Sequence, residues 1–279
     1  MSEIINLAKD KPDTYVYQQA AEILCDTLEE DYSFVIQLWD HEKPKETKYP
    51  KVLISTSDEK HNVPVEAQDE SYVHIFKQYA PMYDMKNATS VRREWDYRVS
   101  PLPLCSLEGF SPQPINIHER TYDWSWMGQF DPYARVAFRN SVNDLKTNPI
   151  TGQAREHTCK ILWYEGWNNG GPIEEYANVM SNTKIALVPN GSASLESFRF
   201  FEAAMAGCVI VSQQMPVVPM YNVAPTITVD NNWTNLPDVI DMILDNREEM
   251  EYYSHASKVW YEYFCSPEGL AGYMKKRLV

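Results

Sequence analysis

Between residues 124 and 212, short apolar runs alternate with amphipathic stretches, and this alternation restricts the fold more than any other feature of the chain. Runs at 124–130, 159–164, 185–188 and 208–212 read as strands, and the stretches 133–145, 173–180 and 194–206 between them read as helices. A strand that is apolar throughout is buried on both faces, which is the environment of parallel strands joined by crossover helices. The pattern predicts a doubly wound α/β domain.

The first part of the chain carries a looser version of the same pattern. Tyr15, Val16, Ala20, Ile23, Leu24 and Leu28 recur at helical spacing over 12–30, and strands are expected at 33–39, 52–56 and 72–76. Pro101, Pro103, Pro112 and Pro114 then forbid a regular element and suit an extended connection. The expected domains are therefore 1–118 and 119–262, both Rossmann-like, with a C-terminal helix over 263–279 that packs back on the first. A chain of 279 residues that is 44% hydrophobic has ample material for two cores.

Charge narrows the partners. With 25 Lys+Arg against 39 Asp+Glu, the formal charge is −14, which opposes binding to nucleic-acid phosphates or an anionic bilayer. The longest apolar stretch, 203–211, is far short of the roughly 20 residues a membrane helix needs, so no span is expected. The first ten residues lack a basic segment and an apolar core, predicting no secretory leader. Five dispersed cysteines without a Cys-x-x-Cys pair read as reduced thiols, and the expected location is cytoplasmic. The Asn-x-Ser/Thr triplets at Asn87, Asn190 and Asn232 are then chance matches.

The chemistry concentrates in 176–212. A strand runs into Pro189, Asn190 and Gly191 and a helix starts within a few residues, so free N–H groups and the positive end of the helix dipole point at one place where an anion would sit. Glycine there is expected to let the backbone approach a ligand. Arg199 and Glu202, three residues apart, share a helix face. Arg199 suits a diphosphate, and Glu202 suits a ribose diol. An ordinary surface ion pair fits the same spacing.

Tyr176, Lys184, Leu187, Pro189 and Gly191, followed by Ser197, Arg199, Glu202, Ala203, Gly207, Cys208 and Val211, form a pattern that resembles the donor-binding signature of the exostosin-like glycosyltransferases, family 47. Trp126, Gly128 and Arg135 resemble a second, shorter part of it. The resemblance implies a GT-B-like fold with two Rossmann-like domains facing across a cleft. It implies a nucleotide-sugar donor, a UDP-sugar by expectation and a pentose such as xylose among the candidates, bound by Arg135, Pro189, Asn190, Gly191, Ser197, Arg199 and Glu202. It further implies inverting transfer to a hydroxyl of a glycan or glycoprotein, with no cofactor and no metal.

No Asp-x-Asp occurs anywhere, so the usual carboxylate pair that holds a metal on a donor diphosphate is missing, and arginine and backbone donors are expected to take over. Arg139 reads as a solvated neighbour of Arg135. An inverting transfer also needs a base in the first domain. Asp58 is the first choice, then Glu59 and His61 beyond the strand at 52–56, then Asp40 and His41. Trp124, Trp126, Trp163 and Trp167 are candidates for core packing or sugar stacking, and 164–167 is a candidate base platform. Two other readings keep the fold, a transferase acting on modified DNA bases and a non-catalytic nucleotide-sugar-binding module.

Overall fold

The computed structural model describes residues 1–12, 14–38, 44, 46–56, 66, 69–79, 98–129, 135–146, 156–164, 171–191 and 194–279. The chain divides into two compact units, one of Met1–Glu108, Pro216–Asn222 and Glu262–Val279, the other of Gly109–Met215 and Val223–Tyr261. Each is built on a five-stranded parallel sheet.

In the first unit, β1 (Glu3–Asn6), α1 (Tyr15–Thr27), β2 (Ser33–Leu38), β3 (Lys51–Thr56), β4 (Tyr72–Lys77) and β5 (Val99–Pro101) follow in sequence, and the strands keep that order across the sheet. Val35, Leu53, Tyr72, Ile75 and Val99 make a core cluster of this sheet. The Tyr17 hydroxyl of α1 is buried and donates in a bifurcated bond to the Pro103 and Leu104 carbonyls, at 2.6 and 2.9 Å. That bond ties the helix to the proline-rich stretch, whose carbonyls lack a ladder partner.

The second unit runs β6 (Tyr122–Gln129), α2 (Val136–Lys146), β7 (Cys159–Tyr164), α3 (Ile173–Ser181), β8 (Thr183–Val188), α4 (Phe198–Ala206) and β9 (Val209–Ser212). After a single turn, α5 (Pro219–Asn222), which belongs to the first unit, come β10 (Thr226–Thr228), α6 (Leu236–Asp245) and α7 (Arg247–Phe264). The sheet order is β10-β9-β8-β6-β7. Trp124, Trp126, Phe138, Leu187, Val211, Trp233 and Ile240 belong to one core cluster. The last helix, α8 (Pro267–Leu278), packs on α1 and starts at Ser266, whose side chain accepts from the Gly269 N–H at 3.1 Å with Pro267 in the first turn.

Arg120, only 3% exposed, holds the amino end of the second sheet together. Its guanidinium donates to the Thr183 and Ala206 carbonyls, both at 2.7 Å, and to Ile115 at 3.2 Å. It therefore joins the start of β8 to the last turn of α4, where a cation also suits the helix dipole. Replacing it leaves buried carbonyls unpaired at about 1–3 kcal/mol each. Arg120→Met is expected to lower stability by about 3 kcal/mol in denaturant unfolding, and an unchanged midpoint would show that these bonds are dispensable.

Candidate functional site

Ligands of doubly wound sheets gather outside the carboxyl ends of the strands, at the point where the strand order reverses. In the second unit the chain leaves β6 for β7 on one side and returns to lay β8 on the other, so the reversal lies between β6 and β8. There β6 ends in Met127, Gly128 and Gln129, β8 runs into Pro189, Asn190 and Gly191, and α4 begins close by.

The two expected arginines are placed differently. Arg135 is buried just ahead of α2, donates from Nη1 to the Gln129 carbonyl at 2.8 Å and from Nη2 to the Asn190 carbonyl at 3.2 Å, and lies 5.3 Å from the Trp126 ring centre. It is a fastener between the ends of β6 and β8. Arg199 is half-buried, donates from Nε to the Met127 carbonyl at 2.6 Å and sits over the same ring at 4.6 Å. Among the described residues its two terminal nitrogens make no hydrogen bond. Arg199 thus presents open donors at the strand reversal, whereas both terminal nitrogens of Arg135 donate to protein carbonyls.

At Gly191 a Cβ would lie 2.5 Å from the Glu196 carbonyl oxygen and 3.1 Å from that of Ser194, so glycine lets those carbonyls come close to the chain. The loop that carries them delays the helix, which starts at Phe198 instead of 194. Ser197 is its cap residue in extended conformation, yet its side chain makes no capping bond, and the first N–H groups of a helix have no partner within it. Glu196, 4% exposed, is a carboxylate of this loop that sequence reasoning passed over, because only the fold buries it.

Glu202 is 2% exposed, on the second turn of α4. Burial pushes its carboxyl up to about 7, against the opposing influence of the Tyr176 hydroxyl and the Arg199 charge. Tyr176 itself is driven well above its ordinary value by burial and by Glu202, and among the described residues its hydroxyl has no partner at hydrogen-bond geometry. The ring of Tyr176 is held from the other side by Phe110 at 5.5 Å. Lys184, part of the same sequence pattern, is at the opposite end of β8 and pairs with Asp123 at 2.8 Å.

Trp124 and Trp126 are in the core, which closes sugar stacking to both. Trp163 packs on Trp126 at 5.6 Å, and the exposed Arg139 lies over Trp163 at 6.0 Å. Of the base platform only Tyr164 is described, and Trp167 lies outside the described residues. Asp58, Glu59, His61, Asp40 and His41 lie outside them too. Among the described residues no group of three His, Cys, Asp or Glu side chains is placed to hold a metal ion. A cavity of about 640 Å³ opens at the other end of the second sheet, lined by His118, Asp123, His157, Lys184 and Asp241. Within it Lys184 pairs with Asp123, and the His157 ring lies 3.1 Å from the Asp241 carboxylate.

A carboxyl raised from 4.5 to about 7 binds a proton in the folded protein that the unfolded chain has released, so its contribution to stability falls as pH rises between those values. Relative to the parent, Glu202→Gln is expected to gain about 3 kcal/mol of stability between about pH 4 and pH 8. Unfolding midpoints of both proteins across that range check it, and parallel curves would refute it.

No protein-family model and no curated protein matches the sequence. Solved structures do match in fold. An alpha-glucosyltransferase in complex with UDP and a 13-mer DNA containing an HMU base superposes with a TM-score of 0.53 at 9% identity, covering 100% of this chain and 99% of that one. An alpha-glucosyltransferase in complex with UDP gives 0.52 at 9% identity, covering 95% and 85%. Sucrose-phosphate synthase from Thermosynechococcus elongatus gives 0.50 at 12%, covering 96% and 78%. The two parallel-sheet α/β domains are those of the GT-B glycosyltransferase fold.

Proposed function

We propose that the chain is a glycosyltransferase that takes its sugar from a UDP-sugar bound at the β6–β8 reversal of the second unit. The observation that carries this reading is the half-buried Arg199 guanidinium, anchored through Nε with its terminal donors open among the described residues, beside the uncapped start of α4. Charge that leaves with a nucleoside diphosphate is stabilised by fixed donors of this kind. UDP in two of the fold neighbours supports the choice of nucleotide.

Several finer points belong to the same reading. Transfer is metal-independent, as the lack of Asp-x-Asp suggests, and inverts the anomeric centre. The sugar includes pentoses such as xylose among its candidates, and the acceptor is a hydroxyl of a glycan or glycoprotein. Pro189, Asn190, Gly191 and Ser197 line the donor side, Arg135 holds that side in shape, and Glu202 in its ionised form accepts from the ribose diol. Asp58 is the base, with Glu59 and His61 next in order. A cytoplasmic location fits the sequence, and no helix among the described residues is long and apolar enough to cross a membrane.

A second reading, transfer to a modified DNA base, is favoured by the neighbour bound to a 13-mer DNA and opposed by the formal charge of −14. Transfer assays with a UDP-sugar panel on glycan and DNA acceptors separate the two, and the anomeric configuration of the product by NMR tests inversion.

Titration of UDP by calorimetry with EDTA present is expected to give saturable binding. Arg199→Ala should weaken it by about 2–4 kcal/mol, the scale of one lost charge-stabilising donor. Arg199→Lys should recover only part, because an ammonium does not reproduce a bidentate fork. Binding that vanishes on chelation contradicts metal independence, and an Arg199→Ala variant that binds like the parent contradicts the site.

A further inference from the structure

Gly128 occupies a position where glycine has no conformational purpose. It pairs with Trp163 inside the β6–β7 ladder, and its φ is not among the positive values, which for described glycines are confined to Gly109 and Gly207. Glycine inside a strand weakens it and commonly marks the close approach of another group. Here the approaching group is identified. A Cβ on Gly128 would lie 2.3 Å from Arg199 Nη2, 2.6 Å from Cζ and 2.8 Å from Nε, so the guanidinium rests on the bare Cα. The neighbouring residues supply the other restraints, the Trp126 ring at 4.6 Å and the Met127 carbonyl at 2.6 Å.

We propose that Gly128 is a positioning residue, whose missing side chain seats the Arg199 guanidinium at the carboxyl end of β6 with its terminal nitrogens toward the diphosphate. This rests on the reading that the site takes a nucleoside diphosphate. Three consecutive residues of one strand then fix one cation from three directions: a ring face, a carbonyl and an empty Cα. The three atoms nearest the added Cβ all belong to the far end of the Arg199 side chain, so a methyl group there displaces the arginine before it strains the sheet. Fixing a charge before its ligand arrives removes an ordering cost from binding.

The test is a double-mutant cycle between Gly128→Ala and Arg199→Ala, read by UDP titration and by thermal unfolding. Gly128→Ala alone is expected to raise the UDP dissociation constant about tenfold or more with an unfolding midpoint near the parent's. In the Arg199→Ala background, where the guanidinium is gone and its space is free, Gly128→Ala should change neither quantity. Parent-like affinity in the single variant, or the same loss repeated in the Arg199→Ala background, overturns the proposal. Should Gly128→Ala fail to fold while the double variant folds, the collision with Arg199 is confirmed by the rescue. Failure of both places the collision elsewhere and also overturns it. A parent that binds no UDP refutes the nucleotide reading instead, and the unfolding cycle still reports on the Gly128–Arg199 contact.

Discussion

The reversal of strand order between β6 and β8 is the constraint on which the candidate site depends. Because β8 returns to the side of β6 away from β7, the carboxyl ends of two adjacent parallel strands are left without a connection running directly between them. Arg135 bridges that gap by donating to Gln129 and Asn190, one carbonyl on each strand end. Arg199 lies over it, and Trp126 joins both arginines to the core through Phe138 at 4.9 Å and Trp163 at 5.6 Å. The site is thus attached to the largest apolar side chains of the unit, and the open donors of Arg199 are carried on a rigid base.

Much of the fold is legible in the sequence for a plain physical reason. Central parallel strands such as β2, β3, β8 and β9 are buried on both faces, and their middles, 34–36, 52–54, 185–188 and 209–211, are continuously apolar, so they stand out as short runs. Two edge strands escape the same test. β1, with the sequence EIIN, is half-buried along its length, and the three residues of β10 are no more hidden, so neither makes a run.

The site is legible in part. The region from Pro189 to Glu202 can be located because a strand, a loop and a helix N-terminus in succession have a predictable electrostatic use. What separates Arg135 from Arg199 is which carbonyls come within reach, and Gln129, Asn190 and Met127 are brought there by the strand order rather than by spacing along the chain. Gly191 and Gly128 illustrate the same limit. The close neighbours are the carbonyl of Glu196 at one and the guanidinium of Arg199 at the other, and neither can be read from spacing. Glu202 carries the charge that sequence logic assigns to it only above about pH 7, because burial was invisible until α3 brought Tyr176 over it.

The central claim is that the diphosphate of a nucleotide sits at the β6–β8 reversal against Arg199. A crystal structure with UDP tests it most directly. The account predicts phosphate oxygens within hydrogen-bond distance of the Arg199 terminal nitrogens and of the first N–H groups of α4, with Arg135 still bonded to Gln129 and Asn190. A nucleotide bound instead at the far end of the sheet, in the cavity lined by His118, His157 and Lys184, would contradict it.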